Sequence, residues 1–450
     1  MKKIKSFTCK ICDRQEPKWL GRCPDCGNWN SFIEIESGKV KVQGTKENIP
    51  IPIGAIELKE VYRYDSGIEE LNRVLGGGIM KGSTVLVGGE PGIGKSTLML
   101  QLAGSINLKG RILYISGEES SKQVKMRAER LEIEPGSIEV FCETELSAIL
   151  KVMDNIKPVL IIVDSIQTIY KDDLGSIPGS PTQVKICTFE LNEYSKQRSA
   201  SLFLIGHVTK EGVIAGPKVV EHIVDSVLYF DQSESEIRIL RSTKNRFGPT
   251  HELGLFTMSE KGLIQIKDPA SHFLEHRNET PPPGVIAAPV YEGTRVLLVE
   301  IQSLVVPAKG GVPRVFSDKI DSRRISRLAA VLEKHLKISF SDVDIYVNVA
   351  GGLKITEVGI DLPLCLSLYS AKTDLPLPPC TAVMGEVSLA GQIRSISHTK
   401  LRVSAACEMG FNFIVGPQIK EGKENINECY MGVSSVQRAV RVIFINKKNE

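Results

Sequence analysis

Residues 83–103 read STVLVGGEPGIGKSTLMLQLA. An apolar run suited to a buried strand enters a glycine-rich turn, and the turn opens a helix-forming segment. The turn fits GxxxxGK[ST], with Gly89, Glu90, Pro91, Gly92, Ile93, Gly94, Lys95, Ser96 and Thr97 spanning the loop and the first helical residues. In that strand–loop–helix setting the amides of Gly92–Lys95 are expected to cradle phosphates at a helix N-terminus. Lys95 is then placed to reach the β and γ phosphates of ATP, and Ser96 to ligate Mg2+.

Working outward, apolar runs recur at intervals that leave room for helices: RILYIS (111–116), VLIIVDS (159–165), SLFLIGH (201–207) and HIVDSVLYF (222–230). Continuous β-branched runs at this spacing predict an α/β fold with a mainly parallel sheet covered on both faces. Each run carries a polar residue at its C-terminal end or directly after it, where an open α/β sheet presents its ligand. Asp164 has the setting of a magnesium-holding carboxylate, Glu118 in YISGEES that of a water-orienting base, and His207 that of a γ-phosphate sensor. Lys95, Glu118, Asp164 and His207 are thus the candidate catalytic set.

The N-terminus carries CKICDRQEPKWLGRCPDCGNW, in which Cys9, Cys12, Cys23 and Cys26 form two CxxC pairs. Two knuckles of this kind supply a four-sulfur cage for Zn2+, and a segment this short needs the metal to fold. A zinc ribbon over 1–40 is expected, followed by a linker over 41–58. Trp19 and Trp29 are the chain's only tryptophans and flank the second knuckle. The first 22 residues hold seven Lys or Arg against two acids, a surplus that serves either the thiolate cluster or a DNA contact. Over 450 residues the net charge is only +3, so any nucleic-acid surface is local. No apolar run approaches membrane-spanning length and no leader-like segment opens the chain, so a cytoplasmic protein is expected.

KDPASHFLEHRNETPPPG (267–284) loses periodicity and ends in three prolines, the composition of a linker. It separates an expected ATPase domain, 59–266, from a further α/β domain, 285–450. Past the strand-like EIRILRST comes KNRFG, comprising Lys244, Asn245, Arg246, Phe247 and Gly248. Read alone, it is a charged turn.

The order of the P-loop, YISGEES, IIVDSIQT, IGHVTKEGVIAGPKVVEH and KNRFG resembles the bacterial RadA (Sms) DNA-repair ATPases, relatives of RecA, and the resemblance runs from the ribbon to the C-terminal domain. It implies a DNA-dependent ATPase that binds single-stranded DNA and branched recombination intermediates. It further implies a homo-hexamer, a recombinase partner and a branch-migration activity in homologous recombination. The KNRFG cations would reach the neighbouring subunit's nucleotide, coupling ATP, assembly and DNA. Loops 171–185 and 209–218 would line the DNA path, with Lys185, Lys210 and Lys218 as phosphate contacts. The last domain resembles that of Lon proteases, but EVGIDLPL puts Asp361 where their serine stands, leaving Lys400 nothing to activate, so an inactive scaffold is expected. Basic runs DSRRISR (321–327) and Lys400–Arg402 offer a DNA-binding or solvated face. The rival readings are an ATP-dependent protease and a KaiC-like nucleotide-gated assembly module without DNA. NRVLGGG (72–78) departs slightly from the family pattern, at a place that touches no expected catalytic residue.

Overall fold

A computed structural model describes residues 6–9, 15–16, 18–24, 27–35, 52–53, 63–134, 136, 138–174, 176–207, 218–232, 236–250, 252–268, 273–274, 280–308, 313–419 and 428–445. The chain divides into a small unit, Met1–Glu60, and a large one, Val61–Glu450. In the small unit, strand Ser6–Cys9 lies between Gln15–Glu16 and Phe32–Ile35 in an antiparallel sheet.

The large unit is built on two sheets. The first has nine strands, in the order 262–265, 253–259, 237–245, 226–232, 84–89, 201–207, 160–164, 112–116 and 138–142. From 226–232 to 138–142 every pairing is parallel, and the remaining three strands add on antiparallel. The central strands are buried along their whole length because helices cover both faces. Leu98, Met99 and Leu102 of helix Lys95–Ser105 pack on one face, and helices Leu146–Ile156 and Pro181–Arg198 on the other.

Two boundaries differ from the sequence reading. The run 222–230 is not one strand: Lys218–Ile223 is helical and the strand is Ser226–Gln232. The loop expected to reach residue 185 ends at Ser180, whose hydroxyl accepts from the Gln183 amide and caps a helix with Pro181 in its first turn.

The second sheet has seven strands, in the order 315–316, 343–349, 295–307, 285–292, 381–383, 413–417 and 430–433. Helices Ser322–Leu336, Asp361–Thr373 and Thr399–Glu408 accompany it. One hydrophobic cluster joins Ile237, Ile239, Leu253 and Leu255 of the first sheet to Ile286, Val299 and Leu332 of the second part. Phe273, within the expected linker, is buried in that same cluster against Gly351. The antiparallel strands are therefore the surface on which the C-terminal part is seated.

Candidate active site

Parallel topology brings the candidate residues to one edge of the nine-stranded sheet. Gly89 pairs with His207 on one side and with Phe230 on the other, while Asp164 pairs with Ser116, two residues before Glu118. Lys95 is buried and its ammonium donates to the Gly89 and Glu90 carbonyls, both at 2.8 Å. Burial pushes this ammonium down to about 8, against the pull of Asp164, Glu118 and Glu90. Gly94, which precedes the helix, has φ +115 and leaves room for the Met258 methyl 3.0 Å from where a Cβ would stand.

Three further contacts give the carboxylates fixed positions. The Tyr114 hydroxyl donates to Asp164 Oδ2 at 2.6 Å; burial first, then that carboxylate, holds the phenol well above its ordinary value. Ser165 Oγ donates to Glu118 Oε1 at 2.6 Å, and His207 Nε2 lies 3.1 Å from the same oxygen. Burial raises the Glu118 pKa, but hydrogen bonds from Ser165 and His207 and the Lys95 charge outweigh it, so the group stays below the usual carboxylate range. Glu118 is thus an ionised acceptor aimed across the site, suited to orienting a water. The Gln167 amide donates to the His207 carbonyl at 3.3 Å. Arg238, from the antiparallel strand, donates to the Ile93 carbonyl of the loop at 2.7 Å.

Tyr114, Ser165, Gln167 and Arg238 were not singled out in the sequence. Ser165 and Gln167 stand in IIVDSIQT directly after Asp164, a signal that was available. Tyr114 and Arg238 reach the site only through strand order, which the sequence does not disclose.

KNRFG is elsewhere. Strand Ile237–Asn245 runs antiparallel, so Asn245 pairs with Ser226 at the end of the sheet opposite the P-loop. Lys244 is tied down: its ammonium donates to the Glu221, His222 and Val224 carbonyls, capping the C-terminus of helix Lys218–Ile223. Arg246 faces outward, its side chain 53% exposed and 3.6 Å from Asp225. The Asn245 amide donates to the Leu75 carbonyl, and Arg63 bonds the Leu75, Gly78 and Phe247 carbonyls. A Cβ on Gly76 would meet Gly248 at 3.1 Å. The NRVLGGG segment, expected to touch no catalytic residue, is the floor on which KNRFG rests.

Of the expected DNA contacts, Lys185 is exposed but sits on a helix, and the preceding loop is pinned by Gln183, which bonds Lys171 and Ser176. Lys210 lies outside the described residues, as does the side chain of Lys218.

In the C-terminal part Asp361 is buried at the first turn of its helix. Its Oδ1 accepts from Arg324 Nε at 2.6 Å and its Oδ2 from the Val387 amide at 3.3 Å. A carboxylate so engaged offers no nucleophile. Arg402 is also buried, bidentate on Glu357 at 2.7 Å for both bonds. Arg324 and Arg402 are thus internal ion-pair partners and not part of a solvated or DNA-binding face, while Lys400 is exposed.

In the small unit Cys23 is buried within a tight turn closed by Cys23 N to Asn28 O and Gly27 N to Cys23 O, both 2.9 Å. That knuckle, with Cys9 ending a strand, fits a thiolate zinc site. Cys12, Cys26 and the Cys9 side chain lie outside the described residues.

Comparison with known proteins agrees with this layout. A family model described as KaiC, an ATPase, matches residues 64–145; one described as a rubredoxin metal-binding domain matches 7–34; and one described as subunit ChlI of Mg-chelatase matches 318–420. The chain is 47% identical over 419 residues to a DNA repair protein RadA of Treponema pallidum, covering 92% of each chain. It is 43% identical over 453 residues to that of Halalkalibacterium halodurans, covering 98% of this chain and 99% of the other. With that of Bacillus subtilis it shares 44% identity over 430 residues, 93% of each. Among the described residues no helix is long and apolar enough to cross a membrane. A zinc-ribbon knuckle, a RecA-like ATPase sheet and a Lon-like C-terminal part, aligned end to end with these relatives, place the chain in the DNA repair protein RadA family.

Proposed function

We propose that this ATPase is a motor on single-stranded DNA that drives branch migration during recombinational repair, assembled as a hexameric ring in the cytoplasm and working beside a recombinase. In this reading Gly89–Thr97 holds the triphosphate, Lys95 bonds the β and γ phosphates, and Glu118 orients the attacking water. Ser96 and Asp164 would hold Mg2+, which neutralises charge on the transferred phosphoryl group when bound. His207, in contact with Glu118, would report the γ phosphate to the loop that follows it, whose Lys210 and Lys218, with Lys185, would meet DNA phosphates. The ribbon, 1–40, the ATPase domain, 59–266, and the scaffold, 285–450, would act as separate modules.

The observation that carries the proposal is the position of KNRFG at the sheet end opposite its own P-loop. A cation there serves ATP hydrolysis only by reaching the site of an adjacent subunit, so activity would depend on assembly, and DNA that orders the assembly would stimulate it. The test is ATP hydrolysis with and without single-stranded DNA across salt concentrations, with Lys95→Ala as the blank. Stimulation that fades with salt is expected. Lys95-dependent hydrolysis indifferent to DNA would favour a KaiC-like assembly module instead.

A further inference from the structure

Trp19 and Trp29 stand 50% and 71% exposed. They are not scattered. A Cβ placed on Gly21 would lie 3.8 Å from the Trp19 ring and 3.9 Å from the Trp29 ring, so the two indoles flank one bare glycine. Arg22, which follows that glycine, holds its guanidinium carbon 5.7 Å from the centre of the Trp29 ring while its Nε donates to the Gly27 carbonyl at 3.0 Å. The result is a platform of two exposed indoles with a guanidinium held beside one of them.

We propose that this platform is a stacking site for single-stranded nucleic-acid bases, with Arg22 and Lys18 meeting the backbone phosphates. The proposal rests on the DNA-handling reading above and adds a subsite to it. Indole and guanidinium planes accept any base by stacking, the arrangement used for sequence-tolerant binding of single strands. The surroundings favour a polyanion over a protein partner. Between residues 18 and 30 the only aliphatic side chain beside the rings is Leu20, and Lys18, Arg22, Asn28 and Asn30 are exposed around them. A protein-docking patch has an apolar core inside a polar rim. Among the described residues here the two rings and Leu20 are the whole of the exposed apolar part, and seven basic residues against two acids in the first 22 supply the charge that phosphates require.

The chain itself provides the reporter, because no other tryptophan exists to dilute the signal. The zinc-loaded full-length Lys95→Ala protein would be titrated with a thymidine oligomer while intrinsic fluorescence and the anisotropy of dye-labelled oligomer are followed together. Saturable quenching that tracks the anisotropy and weakens with salt is expected. Trp29→Ala and Trp19→Ala should each weaken binding by about 5- to 100-fold, and Trp29→Phe, which keeps a ring, by much less. Arg22→Gln should lower the salt slope by about one phosphate contact. Zinc content equal to the parent's would show that each variant is folded. DNA binding by anisotropy with unchanged fluorescence, or with full affinity in both alanine variants, would overturn the platform while leaving the motor reading intact, and would turn the surface over to a protein partner. Absence of any DNA binding would instead remove the reading on which the platform rests.

Discussion

At the scale of single residues, Lys95 and Asp361 show how burial decides chemistry. Lys95 is protonated below about 8 and loses its proton above, so its penalty on the folded chain is fully present below that value and is relieved as pH rises toward the ordinary value of 10.5. ATP phosphates favour the charged form. Binding at pH 8 should therefore take up as much as about half a proton, read as a dependence of calorimetric enthalpy on the buffer's ionisation heat. Lys95→Arg, charged at every pH, should abolish that uptake, and the same uptake in the variant would contradict the assignment. Asp361→Ser should not create a peptidase. It leaves Arg324 without its buried partner and should cost about 3–5 kcal/mol, read by denaturant unfolding, with no labelling by a serine-directed probe. The P-loop and Asp361 were legible in the sequence because each sits in a local pattern. Arg324 was not, since its own run, DSRRISR, reads as surface until the fold sets it 2.6 Å from Asp361.

Between elements, one turn of the C-terminal part adds polar contacts to the apolar seam it shares with the ATPase sheet. Strand Arg295–Pro307 begins with Arg295, which bonds Glu70 at 3.1 Å, and Thr294 bonds Glu252 at 2.9 Å. Glu70, on helix Glu69–Val74, also accepts from the Leu255 amide at 2.7 Å. Removing Arg295 leaves buried Glu70 with only the longer Arg73 pair at 3.4 Å, so Arg295→Met should destabilise the chain toward the lower end of about 3–5 kcal/mol, whereas Glu70→Gln combined with it should recover part of the loss in a double-mutant cycle. The same helix leads into Gly76, φ +78, pressed against Gly248. Gly76→Ala should displace KNRFG, lowering DNA-stimulated hydrolysis several-fold while ATP affinity, measured by titration, stays unchanged. Such couplings span 170 residues and more of sequence, which is why NRVLGGG reads as inconsequential from the chain alone. The mainly parallel character of the sheet was legible because buried strands carry a continuous apolar signature, although its strand order was not. Nor was the start of strand Ser226–Gln232, since Ile223 and Val224 just before it continue the apolar run.

Taken whole, the molecule separates the groups that hold ATP from the cations proposed to complete the site, at the two ends of one sheet. Motif order alone could not show this, because direction along an antiparallel strand decides it. The measurement that tests it most directly is subunit mixing. Lys95→Ala keeps its KNRFG cations but loses its P-loop, and Arg246→Ala does the reverse. If Arg246 acts on the neighbour, each variant alone is nearly inactive, and an equal mixture should regain about a quarter of the wild-type rate, since random rings pair an intact P-loop with an intact KNRFG at one interface in four. A mixture of demonstrably co-assembled variants that stays as inactive as its components would contradict completion of the site in trans.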